Sequence, residues 1–96
     1  MIVSFGDAAT EDLYHGRQTA RARRFPPVIL QPALQKLDML DAAQSLEDLG
    51  AAPGNRLEKL HGKARALWSI RVNDQWRIVF AWEAPRAADV QLVDYH

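Results

Sequence analysis

The chain contains no cysteine, so neither a disulfide framework nor a thiolate metal site is available, and nothing argues for an oxidising compartment. It also lacks any run approaching the roughly 18 apolar residues that a membrane-spanning helix requires. The opening MIVSFGDAATED lacks the basic segment and apolar stretch of a secretory signal. These absences predict a cytoplasmic protein. A glycine-rich phosphate loop is missing, so a nucleotide cofactor has no home, and no cofactor is expected. His15, His61 and His96 show no metal-ligand spacing, and the acids form no recognisable ligand cluster, which disfavours a metal nuclease.

Net charge is zero as well, which is unusual for a nucleic-acid binder because phosphate neutralisation normally leaves a basic signature. The zero is a sum of blocks. Asp7, Glu11 and Asp12 open the chain; Arg17, Arg21, Arg23, Arg24 and Lys36 follow without an intervening acid; then come Asp38, Asp41, Glu47 and Asp48. Arg56, Lys59, Lys63, Arg65, Arg71 and Arg77 are opposed over their stretch by only Glu58 and Asp74. Either these blocks form two basic surfaces for anionic partners or they are solvated faces that neutralise one another.

What is present is an ordinary globular composition: 48% hydrophobic and 25% charged residues over 96 positions, enough for one domain spanning 1–96 and too little for two cores. Ile2, Val3 and Phe5 suggest a short strand, and Asp7, Thr10 and Glu11 offer helix-start chemistry for a short helix that carries Leu13 and Tyr14 and stops near Gly16. Ile29, Ala33, Leu37 and Leu40 mark one apolar stripe, widened by Leu30 and Leu34, and predict the main core helix. Pro26 and Pro27 suit its first turn, while Pro32 requires that it begin near that residue or kink there.

SLEDLG reads as a serine-capped helix with a glycine stop, and AAPGN as a turn. Beyond it LEKL, LWSIRV, WRIVFAW and DVQLVDY read as strands of an antiparallel sheet. Strand, helices, then strands is the order of an α+β domain.

The hairpin around Asn73 allows a sharper expectation. Trp68, Ile70 and Val72 alternate on one face of their strand, and Trp76, Ile78, Phe80 and Trp82 on one face of the next. Those faces coincide only if the turn has three residues, Asn73-Asp74-Gln75, which pairs Val72 with Trp76. Arg71 then lies opposite Arg77, a destabilising pair of like charges. Either an anion sits between them or the two splay into solvent.

The blocks GNRLEKLHG, LWSIRVNDQWRIVFAW and the terminal VQLVDYH, with MIVSF at the start and LDMLDAAQSLEDL in the middle, together resemble the HigB-type toxins, also called killer proteins of plasmid maintenance systems, of the RelE/ParE superfamily. The resemblance implies an antiparallel sheet with helices packed on one side. It implies a ribosome-dependent endoribonuclease that cuts messenger RNA in the decoding site, is held inactive by a helix-turn-helix antitoxin (HigA-like), and meets DNA only through the antitoxin complex.

Such chemistry needs a base for the ribose 2′-hydroxyl, an acid for the leaving 5′-oxygen and cations for the phosphate. The resemblance assigns His96 as general acid or base, Tyr95 to stacking on the nucleotide or sharing in proton transfer, and Arg77 to the phosphate. Arg71 is its neighbour by the strand pairing, and Asp94 either orients the histidine or serves the fold. Some HigB-type toxins carry a further active-site histidine and a loop lysine where this chain has Glu58 and His61. Either Glu58 or His61 then serves as the second proton carrier, with Lys63 supplying the positive charge, or the two belong to an ordinary loop surface. Arg17, Arg21, Arg23 and Arg24 are candidates for ribosomal RNA phosphate, for an acidic antitoxin surface, or for a solvated loop. The superfamily also includes ParE-type gyrase inhibitors without nuclease chemistry, against which the terminal Tyr-His argues. A degenerate toxin retained as antitoxin partner or co-repressor is disfavoured by the presence of Arg77 and His96.

Overall fold

The structure is a computed structural model that describes residues 1–62 and 65–95. Helix α1 (Ala8–Tyr14) starts at Asp7, whose carboxylate accepts the Thr10 N–H at 2.7 Å, and Gly16 follows it at φ +71°. A short 3₁₀ turn at Ala22–Arg24 leads to α2 (Pro27–Ala42), and α3 (Leu46–Ala51) comes next. Four strands complete the chain: β1 (Glu58–Leu60), β2 (Leu67–Arg71), β3 (Trp76–Glu83) and β4 (Arg86–Asp94). They form an antiparallel meander in the order β1-β2-β3-β4.

The three helices cover one face of this sheet, which makes the fold α+β, as expected. Ile29, Ala33, Leu37 and Leu40 of α2 are buried against Ile70, Ile78, Phe80 and Leu92. The apolar stripe read from the sequence is thus the helix face that builds the core. Helix α2 begins at Pro27 and carries Pro32 within it, so the helix does not start at that residue.

Three boundaries differ from the sequence reading. Gly50 does not stop α3, which runs on to Ala51, and the left-handed conformation after it is taken by Gly54 at φ +82°. Strand β4 begins at Arg86 rather than Asp89, because Ala87 and Ala88 pair with Trp82 and Ala81 although neither has strong strand preference. The opening residues run parallel to β4 and touch it at two isolated bridges, Ile2 with Ala87 and Phe5 with Val90. Asp89 interrupts a continuous strand there: its φ of 53° breaks the edge of β4, and its N–H turns to the Ser4 hydroxyl at 2.9 Å.

The β2–β3 hairpin has the expected three-residue turn. Val72 N–H donates to the Trp76 carbonyl at 2.9 Å, Ile70 pairs with Ile78, and Arg71 pairs with Arg77. Trp68, Val72, Trp76 and Trp82 pack against the core on the helix side, so odd-numbered Ser69, Arg71 and Arg77 stand on the other face.

Candidate functional site

On the face away from the helices lies an open cleft of about 250 Å³ lined by Arg56, Glu58, Arg71, Asn73, Asp74, Arg77 and Tyr95. Strand alternation explains most of this set. Glu58 pairs with Ser69, Arg71 pairs with Arg77, and Tyr95 continues the β3–β4 ladder by donating its N–H to the Gln75 carbonyl at 2.6 Å.

Arg77 is nearly buried, at 8% exposure, and its guanidinium is anchored on several sides. Its Nε donates to the Ser69 hydroxyl at 2.9 Å and its Nη2 to the Arg56 carbonyl at 2.6 Å. The Glu58 carboxylate is 3.9 Å from Nη1. The Tyr95 ring centroid lies 5.6 Å from the guanidinium carbon, within cation–π range. The guanidinium is therefore held flat and fixed, which is what planar recognition of a phosphate requires.

Arg71 meets its like charge differently. Its guanidinium turns toward the hairpin and donates to the Asp74 carboxylate. Of the two facing arginines, Arg71 thus meets a carboxylate of its own hairpin, while Arg77 is held by the Ser69 hydroxyl and the Arg56 carbonyl.

The loop before β1 supplies the remaining wall. Arg56 adopts φ 44°, a left-handed conformation costing a non-glycine residue about 1–3 kcal/mol, and its neighbour accounts for it. Asn55 is fully buried: its amide donates to the Leu49 carbonyl at 2.9 Å and contacts Met39 Sδ at 3.1 Å, while Lys36 donates to its Oδ1. Its carbonyl accepts the Arg71 N–H at 2.6 Å. Consecutive carbonyls of Asn55 and Arg56 thus dock the backbone of one cleft arginine and the side chain of the other. Burial, and then the nearby Arg71 charge, lower the Lys36 pKa below the ordinary lysine value.

The sequence candidates divide accordingly. Arg77, Arg71, Glu58 and Tyr95 share the cleft. Asp94 pairs opposite Trp76 and accepts from Gln75 Nε2 at 2.9 Å, and alternation turns it from the face that carries Tyr95. His61 is exposed on the turn after β1 and is absent from the described lining. His96 and Lys63 lie outside the described residues. Arg17 and Arg21 belong to the helix layer, where both bind the buried Asp12, at 3.3 and 2.9 Å, and Arg23 donates to the Gln18 carbonyl at 3.0 Å. Arg24 ends the 3₁₀ turn, exposed.

Arg56, Ser69, Asn73 and Asp74 were missed as parts of the site. The basic run from 54 to 77 contained Arg56, but β1 is only three residues long and too short to reveal a register. The three-residue turn already placed Asp74 beside Arg71; only the side-chain direction was hidden.

A family model described as the RelE-like toxin of type II toxin-antitoxin system HigB matches residues 2–96. Toxin HigB-1 of Vibrio cholerae is 42% identical over 82 residues, covering 85% of this chain and 84% of that protein. An uncharacterized protein of Haemophilus influenzae is 37% identical over 60 residues, 62% of this chain and 59% of its own length. With matching sequence over nearly its whole length and the α+β fold in place, the chain belongs to the HigB-like family, the RelE-like toxins of type II toxin–antitoxin systems.

Proposed function

We propose that this toxin is a ribosome-dependent endoribonuclease that cuts messenger RNA in the decoding site. The observation that carries the reading is the cluster of three arginines, Arg56, Arg71 and Arg77, beside the exposed Tyr95 ring in one open cleft. Guanidiniums hold a phosphate, and an aromatic face stacks on an unpaired base. As a type II toxin the protein has an antitoxin partner, which we take to be the HigA-like helix-turn-helix protein that holds it inactive.

In the proposed reaction the ribose 2′-oxygen attacks the adjacent phosphorus as a base removes its proton. The bond from phosphorus to the 5′-oxygen breaks, and an acid protonates that oxygen, leaving a 2′,3′-cyclic phosphate and a 5′-hydroxyl. Arg77, with Arg71 and Arg56, stabilises the charge that grows on the phosphate. His96 acts as one proton carrier and Tyr95 positions the base or shares the proton. Glu58, with its carboxylate in the cleft, is favoured over His61 as the second carrier; Lys63 remains a proposed phosphate contact and Asp94 a proposed orienting group. Arg17, Arg21, Arg23 and Arg24 form a second proposed contact surface in the helix layer, for ribosomal RNA or antitoxin, with Arg17 and Arg21 already engaged by Asp12.

The test is cleavage of a defined messenger RNA on 70S ribosomes, with 5′ ends mapped. Wild type should cut in frame with the occupied decoding site. Arg71→Ala should slow cleavage by about 10²-fold, the usual cost of one transition-state donor, and His96→Ala should abolish it. Arg77→Lys keeps the charge at the buried position but loses the planar fork, and should be slow as well. A folded wild type that leaves the message intact overturns the nuclease reading and turns attention to gyrase supercoiling assays.

A further inference from the structure

The β2–β3 turn places a carboxylate on the arginine that the proposed reaction needs for phosphate. Asp74 accepts from Arg71 Nη2; its side chain is 96% exposed, whereas that of Arg71 is 30% exposed. The turn does not require this carboxylate. Asn73 Oδ1 accepts the N–H groups of both Gln75 and Trp76 at 2.8 Å, and Val72 closes the hairpin on Trp76. Nor does Asp74 touch the core, and an ion pair so exposed adds little to stability.

What the carboxylate does is occupy donors. Both residues line the cleft, so the guanidinium edge that Asp74 engages lies within reach of whatever enters it. A phosphate competes for the same N–H groups, since carboxylate and phosphate oxygens bind a guanidinium alike. Arg77 differs, because its Nε and Nη2 are spent on neutral acceptors and the Glu58 carboxylate stands off at 3.9 Å, beyond hydrogen-bond distance.

We propose that Asp74 is an internal counter-ion of Arg71, a built-in competitor of RNA phosphate that sets how tightly the cleft holds its substrate. The proposal rests on the reading of the cleft as a phosphate site. Its consequence shows in salt dependence. A protein cation that neutralises a phosphate of single-stranded nucleic acid releases condensed counterions and adds about 0.7 to the slope of log affinity against log salt. An arginine that must first shed its own carboxylate contributes much less, because the freed carboxylate gathers a cation in return.

The experiment measures binding of the full chain to a fluorescein-labelled oligoribonucleotide with 2′-O-methyl riboses, which cannot be cut, by anisotropy across about 50–200 mM KCl. Asp74→Asn should tighten binding several-fold at low salt and steepen the slope by about 0.7. Arg71→Ala should weaken binding, and the double variant should match Arg71→Ala, since Asp74 then has nothing to compete for. Circular dichroism checks that each variant is folded. Binding by Asp74→Asn equal to or weaker than wild type, with Arg71→Ala still weakening it, overturns the counter-ion proposal and leaves the cleft reading standing. Binding that neither Arg71→Ala nor Arg77→Lys changes, or no binding by any of the folded proteins, overturns the cleft reading and this proposal with it.

Discussion

Asp12 shows how one side chain organises its surroundings. It is 3% exposed, and its carboxylate accepts from the Thr19 hydroxyl at 2.8 Å, from Arg21 Nε at 3.1 Å and from Arg17 Nη1 at 3.3 Å. The Thr19 hydrogen bond, joined by the arginines and outweighing burial, holds its pKa below the ordinary 3.8. A carboxyl lowered by folding contributes stability that is fully present above its unfolded pKa and lost as the pH falls through the folded one. Urea midpoints measured from pH 7 down through the region below about pH 4 should therefore fall more steeply for wild type than for Asp12→Asn. Asp12→Asn should also be the less stable of the two at pH 7, and parallel curves would show that the network is idle. The basic run Arg17–Arg24 was visible in the sequence as charge alone. Nothing in the linear pattern told that an acid from α1 sits beneath it, because the two segments meet only when the chain folds back.

At the level of elements, local chemistry decides most of the outcome. Helix α3 is six residues long and could not persist on propensity alone. A reciprocal capping box fixes it, with the Ser45 hydroxyl accepting the Asp48 N–H at 3.2 Å and the Asp48 carboxylate accepting the Ser45 N–H at 3.2 Å. Ser45→Ala should cost about 1 kcal/mol, read as a lowered thermal midpoint. The loss should also reach the cleft, since α3 provides the Leu49 carbonyl that holds Asn55, and through it the wall at Arg56. The ribosome assay should therefore show Ser45→Ala slower than wild type at a temperature where both are folded; equal rates would mean that the Asn55 anchor survives without the cap. Helix α2 tolerates Pro32 because burial of four residues on one face outweighs a missing hydrogen bond. The hairpin register was legible because two runs of large apolar residues had to share a face, and only a three-residue turn allows it.

For the molecule as a whole, stability rests on the layer in which α2, flanked by Leu13 of α1 and Leu49 of α3, packs on the sheet. Leu37 is fully buried there, and Leu37→Ala should cost about 2–5 kcal/mol, measurable by urea denaturation. Against the roughly 5–15 kcal/mol expected for a domain of this size, that places the variant near the edge of folding. A loss under about 1 kcal/mol would mean that the layer closes around the gap. The zero net charge also resolves at this scale. Acids and bases are interleaved in space as Asp12 with Arg17 and Arg21, Asp74 with Arg71, and Asp89 with Arg65, so the cleft keeps a local positive excess within a neutral whole.

By itself, the sequence determined that the helices precede the antiparallel strands, the buried stripe of α2, the hairpin register and the facing of Arg71 and Arg77. Each of these follows from periodicity, capping or turn length, which act over a few residues. It also carried the blocks by which the family was recognised. Tertiary structure decided what those signals could not reach: that Ser69 and the Arg56 carbonyl hold Arg77, that the Asp74 carboxylate meets Arg71, that the N-terminal segment lies parallel to β4, and that Glu58 lines the cleft. These depend on side-chain direction and on contacts between segments far apart in the chain, and such contacts are set by the packing of the whole domain rather than by any neighbouring residues.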